Sequence, residues 1–488
     1  MIRNIFSQYK YVFVWGTGEY LKKYRDYLPK MVDGYIDNDV TKNGIFIGNT
    51  RIYSPEVLNR FPADLTLIVI CNSYYDEISS QICGLGEYRA IHIEDVVMIS
   101  DAEKNMSNAF GRDEDGNVFL PGSILSVAGI HALFQINGCN RFIDGQIRVL
   151  NNHSINSLEI APIRFVEDGR KSIGLLAVRG NGQYKGIIRL ERILQSTDSF
   201  KGVIVHSLYY DHELIGEILD KLDSHIPVLY YTHDYYCICA NRFLIKNEAT
   251  CTDENGKLKC EECELKEVQD SLRQFHRKIF AAPNVRVISP TTQVRDCIKE
   301  VYPEACICVE PHLNYKTIAR DCAIKTRKIR VAFLGGRFTT KGWDYFNRLS
   351  SDYAELYDFY YFGSSGDNLN SEITFVRTTL ENTTGMVGQL KDCCVDVACI
   401  LSLVPETYSY TFYEALEAGC FIVTTDKSGN VNRSVKKMNC GRVFCSYEEM
   451  SEWFSSPLSV LNTITKKRIR IQNVTDNDHF VELLRYQR

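Results

Sequence analysis

The sequence predicts an α/β protein of several domains built on parallel sheets. Three observations carry that prediction. At 488 residues the chain is too long for one hydrophobic core, so two to four domains are expected. Short apolar runs that end in glycine or polar turns alternate with helical patterns along most of its length. After a shorter first block, that alternation recurs in two successive blocks of similar size.

The first block covers residues 1–102. "KYVFVWGTG" reads as a strand closed by a glycine turn, "EYLKKYRDYL" as a helix, "DGYIDND" as a second strand and "LTLIVICNS" as a third. Residues 103–146 read as a connector rich in β structure. In it "GRDEDGNVFLPGS" is turn-rich, and "ALFQINGCNRFIDGQIRVLNN" reads as short strands separated by Asn and Gly turns. The alternation returns at "IRVLNN", taken as the first strand of a block covering 147–320. That block continues through "SIGLLAVRG", "GVIVHS", "PVLYYTHD" and "VRVISP". A short hinge at "VEPHLNYKT" leads into the last block, 321–488, with strands in "RVAFLGG", "YDFYYFG", "DVACILS" and "CFIVTTD". Ligands of open parallel sheets bind beyond the carboxyl ends of the strands. Each motif below falls at such an end.

Composition narrows the functional classes. The net charge is −5 and the pI about 6.1, which does not support a nucleic-acid footprint. The basic run "KTRKIR" is short and reads as a solvated junction between blocks. The N-terminal stretch has no apolar segment or cleavage site of secretory type, and no run approaches the length of a membrane span. The expectation is a cytoplasmic protein, with room for peripheral association at the inner face of the membrane. The 18 cysteines are scattered, which is the pattern of reduced thiols.

The last block holds the most specific pattern. "PETYSYTFYEALEAG" places Glu406 on the loop after a buried strand and Glu414 inside the helix that follows, closed by Gly419. The start of that helix, around Tyr410 and Thr411, presents backbone N–H groups and the positive end of the helix dipole to an anion. A carboxylate accepts hydrogen bonds from paired hydroxyls. Hydroxyls on both sides of a phosphate describe a sugar, a diphosphate and a ribose. The same block supplies cations in "VAFLGGRFTTKGW". Gly335 and Gly336 let a ligand approach the backbone, and Arg337 and Lys341 follow.

These motifs resemble the C-terminal half of retaining GT-B glycosyltransferases of family 4, of the bacterial surface-polysaccharide type. The resemblance covers about residues 147–488. It implies two facing Rossmann-like domains, an acceptor-side domain over 147–320 and a donor domain over 321–488. By position, Arg337 and Lys341 would bind the diphosphate, and Glu406 the hydroxyls of the transferred sugar. Glu414 would hold the ribose, and Ser409, Tyr410 and Thr411 would contact phosphate. The donor is a nucleotide-diphosphate sugar, the acceptor a glycan, lipid-linked or protein group, and catalysis needs no metal cofactor.

In the preceding block the family often carries "HD" where this chain has His233 and Asp234, so His233 would face the transferred sugar. A loop histidine satisfied by backbone groups is the structural alternative. The family's Gly–Gly pair after the first strand of that block is missing here, which leaves His153 and Ser154 on the acceptor side. Cys239, Cys251, Cys260 and Cys263 include a C-x2-C pair, a spacing that suits zinc. Cys237 could stand in for Cys239, and buried reduced thiols are the alternative.

The first block carries Gly16 and Gly18, but Leu21 where a dinucleotide fingerprint has its third glycine. Asp37 sits where a ribose-binding acid belongs. The block resembles the N-terminal nucleotide-binding domain of bacterial sugar acetyltransferases. A scaffold or regulatory role is the other reading. For the whole chain the alternatives are a GT-B-fold protein that binds nucleotide sugars without catalysis, and an oxidoreductase or epimerase built on the first block.

Overall fold

The computed structural model describes residues 6–104, 122–134, 137–206, 212–246, 249–251, 258, 260, 263–319, 327–363, 365–378, 385–466 and 469–485. These form two compact units, residues 1–229 with 484–488, and residues 230–483.

The first unit contains the first predicted block. Tyr11–Trp15 lies between Gly34–Ile36 and Thr66–Ile70, all parallel, and Arg89–His92 and Thr50–Tyr53 extend the sheet outward. The apolar runs YVFVW and TLIVI are buried because helices and loops cover both faces. Two strands from much later in the chain, Phe165–Glu167 and Arg170–Ser172, complete this sheet by antiparallel pairing. Arg164, just before them, clamps Asp95 with its guanidinium.

The same unit carries Ile124–Val127 paired in parallel with Ser157–Pro162 and with Gly202–Val205. Leu175–Gly180 and Gln183–Arg189 follow as antiparallel neighbours, so "SIGLLAVRG" is not part of a parallel run.

The β-rich connector is corrected here. Residues 105–121 lie outside the described residues, and Ile124–Val127 is a strand. Gly138–Asn152, however, is a helix of 15 residues that runs through the limit placed at 146/147. Asn137, read as a turn residue, is its N-cap, with a side chain that accepts from the Asn140 amide at 2.9 Å. Phe142, Ile143, Ile147 and Leu150 recur at helical spacing on its buried face. "IRVLNN" is therefore the end of a helix, and the exposed His153 and Ser154 follow its C-terminus, not a strand.

In the second unit the strands Val285–Ser289 and Ile307–Val309 pair in parallel. The segment read as a hinge is mostly strand, because Leu313–Ala319 pairs antiparallel with Ile469–Asp476. Within the basic run, residues 325–326 lie outside the described residues. Arg327 is not simply solvated, since it pairs with the buried Asp396 at 2.8 Å.

The main sheet of this unit has six parallel strands in the order Ile373–Arg377, Tyr357–Gly363, Ile329–Leu334, Val397–Ile400, Phe421–Thr425, Gly441–Phe444. Each strand predicted in the last block is present. The chain leaves Ile329–Leu334 toward one edge and later returns to its other side. The order reverses between Ile329–Leu334 and Val397–Ile400, and a crevice opens at such a point. Both units are thus α/β with Rossmann-like parallel sheets. No described helix is long and apolar enough to cross a membrane.

Candidate functional site at the switch point of the six-stranded sheet

Two loops flank the crevice. The first leaves Leu334 through Gly335, at φ +123°, and Gly336, then makes a 3-10 turn, Thr339–Lys341. Gly342 follows at φ +76°, where a Cβ would stand 2.2 Å from the Leu401 carbonyl oxygen. Only glycine fits there, because the second loop passes directly overhead. That loop, residues 401–409, leaves Val397–Ile400. The Leu403 amide bonds to the Thr340 carbonyl at 2.8 Å, which ties the two walls together at their base.

Above this tie the predicted cation and the predicted carboxylate meet. Lys341 Nζ donates to Glu406 Oε1 as an ion pair between residues 65 apart in sequence. The Glu406 side chain is 15% exposed and the Lys341 side chain 41%, so the pair faces the crevice with the lysine outermost. The backbone of Glu406 is also fixed. Its amide bonds to the Ser428 carbonyl, and its carbonyl accepts from the Asn430 amide at 3.1 Å. Gly429 makes this possible at φ +61°, since a Cβ there would come within 2.8 Å of the Glu406 amide nitrogen. Glu406 is thus held by the end of the next strand, Phe421–Thr425.

Arg337 stands four residues before Lys341 on the first loop. Its guanidinium sits 5.7 Å from the centre of the Trp343 ring and 5.6 Å from that of Tyr361, and Nη1 donates to the Asp367 carbonyl at 2.5 Å. The rings fix its plane and leave it partly exposed.

The predicted helix is Tyr410–Ala418. Ser409 caps it by accepting from the Phe412 amide at 3.4 Å, and its hydroxyl lies 3.0 Å from that of Thr411. Gly419 closes the helix in the left-handed conformation. Glu414 is partly exposed on its second turn. The helix N-cap thus stands three residues after Glu406 on the same loop.

His233 reaches the same loop. Its carbonyl accepts from the Thr407 hydroxyl at 2.5 Å, 174 residues away in sequence. Its ring stacks on Tyr231 at 5.9 Å and lies 5.6 Å from His312, which packs 4.2 Å from Tyr408. Burial pushes the His233 pKa down to about 3. Burial and then the neighbouring His233 hold His312 well below its ordinary range. Both imidazoles are neutral at pH 7, so each can donate and accept but adds no charge.

The structure thus joins Lys341 to Glu406 directly and His233 to the same loop through Thr407, with Ser409, Tyr410 and Thr411 next on that loop and helix, while Arg337 is anchored on Asp367, Trp343 and Tyr361. Four participants had not been anticipated. Thr407 lies inside the quoted motif, His312 in the segment read as a hinge, and Gly429 in a "KSGN" turn after a predicted strand. Asp367, which anchors Arg337, has no sequence signal, because it acts through its backbone.

Of the four predicted zinc ligands, Cys239 and Cys263 share the Gln269 side chain at 3.2 and 3.5 Å, and Cys260 lies 3.3 Å from Arg273 Nη2. Among the described residues no group of three or more His, Cys, Asp or Glu side chains stands in ready-made metal-binding geometry.

In the first unit Asp37 is engaged by its own chain. It accepts from the Thr17 hydroxyl, from Lys42 Nζ at 2.9 Å and from the Asp39 amide at 3.0 Å. Burial raises its pKa, but these bonds outweigh burial and hold the carboxyl below its ordinary range. Gly16, at φ +116°, lies where a Cβ would meet the Cys71 carbonyl, and Gly18 precedes a helix of only 6 residues, Glu19–Tyr24. Leu21 is buried in the core.

Residues 8–91 match the family model described as "C2185-like, N-terminal". No curated protein matches the chain. Among solved structures the chain is similar to sucrose-phosphate synthase from Thermosynechococcus elongatus, at 10% identity and TM-score 0.46, covering 71% of this chain and 95% of that one. It is similar to Anabaena HepE in complex with UDP-glucose, at 10% identity and TM-score 0.45, covering 71% and 93%. It is also similar to TarM, at 11% identity and TM-score 0.39, covering 98% and 99%. All three stand below a TM-score of 0.5, so the functional reading rests on the residues of the crevice.

Proposed function

We propose that the chain is a retaining glycosyltransferase of GT-B fold, similar to family 4. It would move a sugar from a nucleotide-diphosphate donor to a glycan, lipid-linked or protein acceptor, in the making of cell-surface polysaccharide or glycoconjugate. The observation that carries this reading is the meeting of Lys341 and Glu406 at the switch point, beside the N-terminus of Tyr410–Ala418. A cation, a carboxylate and a helix N-terminus at one strand-end crevice match a diphosphate with hydroxyls next to it.

Lys341 pairs with Glu406 and neutralises it. An arriving diphosphate draws Lys341 toward its phosphates, joined by Arg337 and the amides around Ser409, Tyr410 and Thr411. Glu406 is then free to accept from the sugar hydroxyls, and the neutral His233 can bond to the sugar without competing for the phosphate charge. As the bond from the anomeric carbon to the diphosphate oxygen breaks, negative charge grows on the leaving group. Prepositioned cations stabilise that charge. The acceptor hydroxyl attacks from the same face and passes its proton to the departing phosphate oxygen, which keeps the anomeric configuration and needs no protein nucleophile. Glu414 would hold the ribose.

The stretch from the helix Gly138–Asn152 to residue 320 would serve the acceptor and 321–488 the donor, with 1–102 as an accessory nucleotide-binding-type domain. Asp37 could take a ribose there only by giving up Thr17 and Lys42. The work would be cytoplasmic, at or near the inner face of the membrane.

Incubation with a panel of nucleotide sugars, read by mass spectrometry for free nucleoside diphosphate, tests the reading. Donor-dependent release supports it. Binding without release would favour a GT-B-fold sensor of nucleotide sugars, and no binding of any donor would end both readings.

A further inference from the structure

The loop after His233 carries a buried hydroxyl that the fold does not satisfy. Tyr235 is 1% exposed and is among the largest side chains that the protein buries completely. Its backbone is fully used. The amide donates to the Arg242 carbonyl at 3.3 Å, and the carbonyl accepts from the Ile238 and Cys239 amides, each at 2.9 Å. Its hydroxyl, however, meets no hydrogen-bond partner among the described residues. Other buried tyrosines of the same unit do find one. Tyr230 bonds to His276 Nε2 at 2.9 Å, Tyr302 to the Cys237 carbonyl and Tyr357 to the Phe454 carbonyl at 2.7 Å. A buried hydroxyl without a partner costs stability, and phenylalanine would fill the same space without that cost. A polar group kept under those terms calls for a reason outside the fold.

The surroundings of Tyr235 supply one. The Thr407 hydroxyl holds the His233 carbonyl two residues earlier, so this loop is tied to the residue next to Glu406. The phenol lies close enough to Cys297, Arg433 and Glu406 to feel each of them electrostatically. Cys297, on the helix Thr292–Val301, is buried, and burial pushes its thiol up to about 11, so it is neutral. Arg433 lies on the helix Asn430–Met438, whose first amide bonds to the Glu406 carbonyl. Two of the three neighbours thus belong to Glu406 itself and to the helix that pins it. Burial, the largest cause, holds the phenol well above its ordinary range, so it keeps its proton at neutral pH and can donate it.

A sugar hydroxyl both donates and accepts, whereas a carboxylate only accepts. Glu406 can therefore take the proton of such a hydroxyl but leaves its oxygen without a donor, and a protonated phenol is the group that completes it. We propose that Tyr235 is a sugar-binding residue, whose O–H donates to a hydroxyl of the transferred sugar that in turn donates to Glu406. This rests on the proposed function, which sets the transferred sugar at Glu406. The two groups would read one hydroxyl from both sides. A donor that lacks it would leave both unpaired, so the pair selects for that hydroxyl.

The test is calorimetric titration of wild type and Tyr235→Phe with the best intact donor and with its nucleoside diphosphate, beside thermal melts of both proteins. Tyr235→Phe should bind the donor about tenfold more weakly, the scale of one hydrogen bond to a buried group. It should bind the nucleoside diphosphate unchanged and melt no lower than the wild type, since the hydroxyl does not serve the fold. In a series of monodeoxy donors, one should weaken the wild type but not the variant, because the partner is already lost. A loss of equal size for the nucleoside diphosphate would mark a structural role and overturn the proposal, as would a change confined to acceptor KM. Wild-type donor affinity in a folded Tyr235→Phe overturns the proposal alone and leaves the glycosyltransferase reading standing. A wild type that binds neither ligand overturns both.

Discussion

Lys341→Ala separates a structural ion pair from a catalytic one. Lys341 is 41% exposed and its partner Glu406 is 15% exposed. An exposed pair is worth about 0–1 kcal/mol. Breaking a fully buried pair costs about 3–5 kcal/mol, because the remaining charge is stranded. Here the charge left behind is the Glu406 carboxylate, which is 15% exposed and still reached by water, and its backbone bonds to Ser428 and Asn430 remain, so the stability cost should lie near the exposed case, about 1 kcal/mol. In a unit of this size that shifts the melting point by about 2–4 °C. Turnover should respond far more, because removal of one charge-stabilising donor costs about 10²-fold in kcat. The assay is release of nucleoside diphosphate from the best donor, beside a thermal melt followed by circular dichroism. A folded variant with near-wild-type kcat would refute the assignment of Lys341 to the leaving group.

Three further outcomes are expected. Glu406→Gln should cut kcat strongly, since Glu406 orients the reacting sugar, whereas Glu414→Gln should act mainly on donor KM, as loss of uniform binding does; steady-state kinetics of both variants checks this. Gly342→Ala should be less stable than Gly335→Ala, because both positions have positive φ, costing about 1–2 kcal/mol, but only at Gly342 would a Cβ strike the Leu401 backbone; paired denaturant titrations measure the difference. Acid should destabilise the second unit. His233 is held down to about 3 and His312 well below its ordinary range, both by burial, while each titrates near 6.5 when unfolded. The unfolded chain then binds more protons below about 6.5, and stability falls with pH at about 1.4 kcal/mol per unit for each histidine. Melting points from pH 7 to 5 should drop less in His312→Gln than in the wild type.

The strands of the last block were readable because buried parallel strands are continuous apolar runs with glycine or polar turns at their ends. VAFL, VACI and FIVTT all follow that rule. Gly419 marked the end of Tyr410–Ala418 by its cap chemistry, whereas Ser409, read as a phosphate contact, is also the N-cap. The same habit misled at 137–152, where Asn and Gly were read as turns although the apolar residues recur at helical spacing. No local pattern could report that Phe165–Glu167 joins a sheet begun at Tyr11–Trp15, since sheet partners are set by tertiary pairing. The site was legible as a list of residue types, but not as a set of bonds. Lys341 and Glu406 had been assigned to different parts of one ligand, and their direct pairing joins residues 65 apart. The Thr407–His233 bond and the pinning of Glu406 by Gly429 are equally invisible to spacing.

The central claim is that the crevice between the Gly335–Lys341 loop and the 401–409 loop holds a nucleoside diphosphate. Calorimetric titration of the nucleoside diphosphate that corresponds to the best donor tests it most directly, on the wild type, Glu406→Gln and Arg337→Ala/Lys341→Ala. The account predicts binding to the wild type and at least equal affinity in Glu406→Gln, where Lys341 is released from its partner and the missing sugar makes no demand on residue 406. It predicts a loss of about tenfold or more in the double variant, the scale of one or two charge-assisted bonds. Unchanged affinity in a folded Arg337→Ala/Lys341→Ala protein would place the nucleotide elsewhere and contradict the account.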